Sequence, residues 1–360
     1  MLDTKTKTIL VSPLNWGLGH ATRLIPIIEI LIKKGHTVII GAYGSSAELL
    51  KTEFPQCTHI NLNGFTPGYS IKHSQSLALA LQSFRFLFHQ LKEYRQTESI
   101  ISKYGIDIII SDNRYGVRNR SVMSIIITHQ LSPLLGKKAG WLRKIVSFFI
   151  SSWIKKFNHC WIPDIAETPN LSGILSNNPF HLNNIKTIGL LSRFNACHVN
   201  DEYTIENLAI ISGPEPWRAM FEKDIINLFK SSSGKSVIVR GLPGIKTGRS
   251  NLEGNITLYN HCDNKTLNKF ICSSRNIFCR SGYSSLMDLF ATGRRALLIP
   301  TPGQPEQEYL AQHLVKQHKF SSISQQQLKS YHSTSSLNNY ERKLTPYRNN
   351  SLLFMVENIL

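Results

Sequence analysis

An α/β protein of two parallel-sheet domains is the fold that the sequence predicts, on three observations. Short apolar runs alternate with amphipathic helical patterns from end to end, as in chains that return each strand through a helix. The chain has 360 residues, and at about 100 to 200 residues per domain that length makes room for two cores. Apolar residues make up 41% and charged residues 18%, with 15 prolines and 22 glycines. That balance excludes disordered, collagen-like and coiled-coil chains.

In the first half, strands are predicted at residues 9–12, 37–40, 106–111 and 124–128, with a further strand-like run at 185–189. A second series follows at 208–212, 236–240, 255–259, 276–279 and 296–300. The polar stretch 192–206 separates the two and is the predicted boundary. The domains are therefore expected at 1–195 and 205–345, with 346–360 forming a C-terminal helix that returns to the first. Residues 321–350, rich in Ser, Gln and Asn, read as loop and surface helix.

The six cysteines, Cys57, Cys160, Cys197, Cys262, Cys272 and Cys279, form no C-x-x-C pair. Neither a disulfide framework nor a structural zinc site is expected, which fits a reducing compartment. The start, Met1-Leu2-Asp3-Thr4-Lys5, runs straight into an apolar strand without a signal-peptide pattern, so secretion is not predicted. No window approaches the roughly 18 apolar residues of a membrane-spanning helix.

A net charge of +18 calls for an anionic partner: nucleic acid, an anionic membrane or a phosphorylated substrate. Between Asp112 and Asp164 there is no acidic residue, while Arg114, Arg118, Arg120, Lys137, Lys138, Arg143, Lys144, Lys155 and Lys156 fall in that interval.

Three constellations carry chemistry. The first, Ser12-Pro13-Leu14-Asn15-Trp16-Gly17-Leu18-Gly19-His20-Ala21-Thr22-Arg23, lies between the first strand and a helix with Leu24, Ile27, Ile28 and Leu31 on its apolar face. Glycines there let the backbone approach a ligand, and the helix start favours an anion. A dinucleotide site fits poorly, since Thr22 occupies the third glycine position and no acid ends the second strand. His20 is placed to act as a base or to orient a substrate.

The second constellation, Ser111-Asp112-Asn113-Arg114-Tyr115-Gly116, closes a buried strand, and His129-Gln130 closes the next. Ligands of open α/β sheets bind beyond the carboxyl ends of strands, so Asn113, Arg114 and His129 are expected to face the same cleft as His20, with Asp112 an alternative base. Asp112 as a turn cap and Arg114 as surface charge is the plainer alternative.

In the second half, Arg280-Ser281-Gly282 opens a helix after a strand, which suits a diphosphate; Asp288, two turns on, suits ribose hydroxyls. The loop Pro300-Thr301-Pro302-Gly303-Gln304-Pro305-Glu306-Gln307-Glu308 offers amides and carboxylates to sugar hydroxyls, and Ser212-Gly213-Pro214-Glu215-Pro216 opens another helix.

From the Gly17–His20 turn to the Gln304–Glu308 loop, and most specifically over Arg280–Glu308, the chain resembles the MurG-like glycosyltransferases. The resemblance implies two Rossmann-like domains with parallel sheets facing a central cleft (GT-B), the first binding the acceptor and the second a UDP-sugar donor, and so makes Asn113, Arg114 and His129 the acceptor side. By position it makes Arg280, Ser281 and Gly282 the diphosphate turn and sets Asp288 where the family has a ribose-binding glutamate. Gln307 and Glu308 fall where the family has a glutamine pair, and the Gly213 loop carries prolines where the family is glycine-rich. His20 matches the histidine of the family's glycine-rich turn, beside Gly19. The Gly-x-Gly-His-x-x-Arg pattern through Arg23 is also similar to the UDP-sugar hydrolase of pseudaminic acid synthesis, which keeps hydrolysis as the alternative activity.

Residues 141–156 form an apolar helix candidate with Trp141 and Trp153 near its ends and cations at both, a composition for an anionic lipid interface. A buried helix flanked by solvated lysines is the alternative. A second apolar helix, residues 77–91, is expected either in the core or along a lipid acceptor groove. No Asp-x-Asp pair or His/Cys cluster has metal-ligand spacing, so neither metal nor other cofactor is expected. Nucleic acid is not expected as a partner, because the aromatics are not interleaved with the cations.

The sequence reading is thus an inverting, metal-independent glycosyltransferase of the cytoplasm, peripheral on the inner membrane face. It would move a hexose or N-acetylhexosamine from a UDP-sugar to a lipid-linked or envelope glycan. A non-catalytic membrane or nucleic-acid binder is the remaining alternative.

Overall fold

The computed structural model describes residues 6–65, 83–134, 140–198, 202–244, 248–252, 255–331, 342–347 and 351–359. The chain divides into two compact units: Met1–Leu191 with Asn349–Leu360, and Ser192–Arg348.

Unit 1 runs β1 (Thr8–Pro13), α1 (Leu18–Lys33), β2 (Thr37–Ala42), α2 (Gly44–Glu53), β3 (Thr58–Asn61), α3 (Ser83–Tyr104), β4 (Ile108–Asp112), β5 (Met123–Ile127), α4 (Gly140–Ile154), β6 (His159–Ile162) and β7 (Ile185–Thr187). Its sheet is parallel throughout, in the order β3-β2-β1-β4-β5-β6-β7. Strands covered on both faces read as unbroken apolar runs, which is why Ile9–Val11, Ile108–Ile110 and Ile125–Ile127 are legible as strands. Along α1 the buried stripe Leu24, Ile27, Ile28 and Leu31 follows the helical period.

Unit 2 runs β8 (Ile205–Ile210), α5 (Trp217–Lys230), β9 (Ser236–Val239), β10 (Arg249–Asn251), β11 (Ile256–Tyr259), α6 (Asn264–Ser273), β12 (Ser274–Cys279), α7 (Tyr283–Thr292), β13 (Leu297–Leu298), α8 (Pro305–His318), β14 (Ser321–Ser322) and α9 (Gln325–Leu328). The order is β10-β11-β9-β8-β12-β13-β14. All pairs are parallel except β10 with β11, an antiparallel pair at the edge of the sheet. The last helix, α10 (Ser351–Ile359), packs on α1, burying Leu352 and Val356, and Lys34 bridges Glu357 at 2.7 Å.

In each sheet the strand order reverses at the central pair, β1 beside β4 and β8 beside β12. Connections leaving the carboxyl ends of such a pair diverge and open a crevice. The Gly17–His20 turn and Asp112 flank the first switch point; Gly213 and Arg280–Gly282 flank the second.

Cys197 and Cys272 form one disulfide, a pairing that the scattered spacing of the cysteines does not announce. The two are 75 residues apart in sequence and meet because the segment entering unit 2 lies against α6. Cys57, Cys160, Cys262 and Cys279 are free.

Candidate functional site

At the first switch point, Pro13 of β1 stands in register with Asp112 of β4, so the strand end carries the carboxylate directly beside the turn that starts α1. Gly17, at φ 109°, takes a backbone conformation that favours glycine and caps α1 without a side-chain hydrogen bond. His20 and Arg23, three residues apart on α1, present the same helix face to Asp112. His20 Nδ1 lies 3.1 Å from Asp112 Oδ1. Arg23 donates from Nε to Asp112 Oδ2 at 2.5 Å and from Nη2 to Oδ1. Its Nη1 lies 3.4 Å from His129 Nδ1 and its Nη2 lies 3.0 Å from His20 Nδ1.

Asp112 is fully buried, whereas the His20 side chain is 18% exposed. Burial alone would raise the Asp112 carboxyl, but the charge of Arg23, then His20, and their hydrogen bonds outweigh it and hold the group below the usual carboxylate range. The Asp112 carboxylate thus has no solvent access and is already bound by Arg23, with His20 Nδ1 beside it. Arg23 is the residue that sequence reasoning noted only as part of a pattern.

Two arginines expected to meet ligand are turned inward. Arg114 is buried and bonds Glu93 Oε1 at 3.0 Å, Ser12 Oγ at 2.9 Å and the Asn63 carbonyl at 2.9 Å, beneath the Tyr43 ring. Arg280 is buried against the Phe221 ring and donates to the carbonyls of Ile299, Pro300 and Trp217 and to Gln325 Oε1. Burial pulls its guanidinium down to about 9, against the charge of Asp224. Arg280 thus ties its Nη1 and Nη2 donors to the loop that follows β13, to the Trp217 carbonyl and to Gln325. Asn113 holds a left-handed φ of 53° at the end of β4, its amide donating to the Ile127 carbonyl. His129 is 3% exposed.

At the second switch point, α5, α7 and α8 begin at Pro216, Gly282 and Gln304, none of which makes a side-chain cap hydrogen bond; Asp263 and Ser324 do cap α6 and α9. Near the start of α5 the Arg218 amide donates to the Pro214 carbonyl at 3.0 Å and the Ala219 amide to Glu215 Oε2 at 3.2 Å, so part of that turn is already satisfied within the chain. Gly213, at φ 111°, turns the chain after β8, and a Cβ there would lie 3.7 Å from Thr301 Oγ1. Among the described residues Thr301 Oγ1 and Gln304 Oε1 are buried without a hydrogen-bond partner, and the sequence does not single out Thr301 as a site residue. Ser281 Oγ donates to the Gln307 carbonyl at 2.7 Å; Gln307 Oε1 accepts from the Thr301 amide and Glu308 Oε1 from the Gly303 amide, both at 2.9 Å. Gln307 and Glu308 therefore brace the turn from Thr301 to Gln304.

Asp288 accepts from Ser192 Oγ at 2.6 Å. Burial pushes its carboxyl up to about 6, while Arg193 and the Ser192 hydrogen bond pull the other way. Among the described residues, no group of three or more His, Cys, Asp or Glu side chains has the arrangement to hold a metal ion.

Helix α4 is amphipathic in an unusual sense. Ser147 and Ser151 are buried with Ile150 and Ile154, while Ile145 (42%), Phe148 (56%) and Phe149 (51%) face outward. Phe148 stacks edge-on with Phe149 and Phe180, and Lys144 on the same helix and Lys155 and Lys156 just after it are exposed. Arg143 is held by Ser132 and the Ile174 carbonyl. Lys137, Lys138 and residues 77–82 of the other predicted apolar helix lie outside the described residues, as does the side chain of Trp141. On the described part of α3, Phe88 and Leu91 are 69% and 66% exposed. Among the described residues no helix is long and apolar enough to cross a membrane.

Residues 254–352 match the Glycosyltransferase family 28 C-terminal domain. The chain is 23% identical over 306 residues to the UDP-N-acetylglucosamine--N-acetylmuramyl-(pentapeptide) pyrophosphoryl-undecaprenol N-acetylglucosamine transferase of Haemophilus ducreyi, covering 81% of this chain and 78% of that one. In fold it is similar to the spinosyn rhamnosyltransferase SpnG, with a TM-score of 0.61 at 13% identity over 92% of this chain and 90% of that one. Acinetobacter baumannii MurG superposes with a TM-score of 0.56 at 12% identity, over 98% and 99% of the two chains.

Proposed function

We propose that this glycosyltransferase, which carries a family 28 C-terminal domain at residues 254–352, moves a hexose or N-acetylhexosamine from a UDP-sugar to a hydroxyl of a lipid-linked or envelope glycan. The observation that carries the reading is the buried Asp112–Arg23 pair holding a solvent-reaching imidazole at the first switch point. Donor and acceptor classes follow the Haemophilus ducreyi relative, whose name states UDP-N-acetylglucosamine and a pyrophosphoryl-undecaprenol acceptor.

A proton on His20 Nδ1, shared with Asp112, leaves Nε2 as the free base. Nε2 takes the proton of the acceptor hydroxyl while that oxygen bonds to the anomeric carbon; the bond from that carbon to UDP breaks, and its electron pair leaves with the diphosphate. The helix starts at Gly213–Pro216 and Ser281–Gly282 stabilise the departing charge without metal, and Asp288 reads the ribose.

Calorimetric titration of UDP without metal, beside ADP and GDP, tests the donor half. Selective UDP binding is expected, and Asp288→Ala is expected to weaken it about 10- to 100-fold through loss of charged hydrogen bonds. Absence of UDP binding removes the reading. Sugar released from a UDP-sugar without acceptor favours the hydrolase instead.

The acceptor class brings in the membrane. The outward Phe148 and Phe149, with Lys144 on the same helix and Lys155 and Lys156 just after it, suit a helix lying in an anionic interface at the cytoplasmic face. Replacing the three lysines by Gln is expected to reduce co-sedimentation with anionic vesicles, each cation being worth about 1 kcal/mol. Unchanged sedimentation on phosphatidylserine vesicles removes the interfacial role.

A further inference from the structure

Unit 2 begins with a strap across α6 and α7. Asn195 and Asn268 exchange hydrogen bonds, the Asn195 amide to Asn268 Oδ1 at 3.1 Å and Asn268 Nδ2 to the Asn195 carbonyl at 3.2 Å. Cys197 is joined to Cys272 of α6, and its amide donates to the Thr292 carbonyl at 3.0 Å. Thr292 lies one turn beyond Asp288 on α7, and its hydroxyl donates to the Asp288 carbonyl at 2.9 Å. Strap and helix are thereby fixed to one another at several points, so the Ser192 hydroxyl meets Asp288 with little freedom left to lose.

The Ser192 oxygen accepts from the Phe194 amide at 3.1 Å, which commits its proton to Asp288 Oδ1. Asp288 Oδ2 has no hydrogen-bond partner among the described residues. A carboxylate held by one oxygen presents the other in a set direction, and when ionised it accepts from two neighbouring hydroxyls.

We infer that Ser192 is a positioning residue for donor binding: it aims and sustains the Asp288 carboxylate for the paired hydroxyls of a ribonucleotide. The inference rests on Asp288 reading the ribose. Burial works against ionisation of Asp288, and the groups that face it decide the balance. Arg193 and the Ser192 hydroxyl favour the carboxylate, while the Cys279 thiol, pushed up to about 12 by burial, stays uncharged beside it. Loss of the Ser192 hydroxyl therefore raises the Asp288 carboxyl, and the protonated form retains less acceptor capacity.

The test is calorimetric titration of UDP and 2′,3′-dideoxy-UDP into the full-length chain, as wild type, Ser192→Ala, Ser192→Thr and Asp288→Ala, between about pH 5 and pH 8, with unfolding midpoints as the folding control. UDP affinity of the wild type should fall as pH drops through the Asp288 value. Ser192→Ala is expected to weaken UDP about threefold to tenfold near neutrality and to move that fall to higher pH. Ser192→Thr should restore both, and dideoxy-UDP should not distinguish Ser192→Ala from wild type. If Ser192→Ala matches wild type at every pH while Asp288→Ala weakens UDP, the inference is wrong and the ribose reading stands. Equal weakening of UDP and dideoxy-UDP by Ser192→Ala shows a general structural role and also overturns it. If Asp288→Ala itself leaves UDP affinity unchanged, the ribose reading fails and the inference goes with it.

Discussion

Replacing His20 by alanine is expected to lower transfer about 100- to 10,000-fold, the usual worth of a positioned general base. UDP affinity should stay at the wild-type value. The reason is a division of labour: the imidazole stands on α1 of unit 1, whereas the Gly213, Gly282 and Asp288 positions belong to unit 2. Steady-state kcat at saturating donor and acceptor, measured beside calorimetry of UDP, separates the two effects. Loss of UDP binding in step with kcat would remove the division of labour, and an unchanged kcat would remove His20 as base. Asp112→Asn should also lower kcat, because the amide no longer gives the Nδ1 proton a charged partner.

Arg23→Ala carries the second large effect, on stability. The Arg23 side chain is 2% exposed and pairs with a carboxylate that is fully buried. Removing one partner of such a pair strands the other charge and costs about 3–5 kcal/mol. The pH dependence should also change sign. In the wild type the Asp112 carboxyl is held below its ordinary value of about 4, so its stabilisation is present above that pH and is lost as the solution is acidified through the folded value. Without Arg23, burial faces only His20, the folded value rises above the unfolded one, and stability falls instead as pH increases through that interval. Denaturant unfolding across the acid range reads the slope directly. An Arg23→Met, Asp112→Leu double variant should regain much of the loss, since an apolar pair leaves no charge stranded.

Much of the fold was legible because its central strands are long apolar runs covered on both faces, and α1 displays its stripe over Leu24, Ile27, Ile28 and Leu31. The strands that escaped notice are short or polar. β3 reads Thr-His-Ile-Asn, β10 Arg-Ser-Asn and β14 only Ser-Ser; β6, His-Cys-Trp-Ile, is four residues long. Such segments become strands through a neighbour's hydrogen bonds, which no local pattern records.

The site was legible where glycine and histidine mark a turn, and illegible where a side chain's partner is remote. Arg23 meets Asp112 across 89 residues, and Arg280 meets Gln325 across 45. A sequence shows an arginine beside a ligand-binding turn. It does not show that carbonyls and a glutamine from other connections will enclose the guanidinium, so the burial of Arg114 and Arg280 is not legible in the sequence. Cys197 and Cys272 escaped for the same reason.

The return of α10 to α1 has a consequence for biosynthesis. Unit 2 is a continuous stretch inserted before α10, so unit 1 cannot close until the whole of unit 2 has been synthesised. The α1 surface that receives Leu352 and Val356 stays uncovered until α10 has been made. Any chain that stalls or is clipped between unit 2 and α10 therefore leaves an apolar seam on α1 open to other chains.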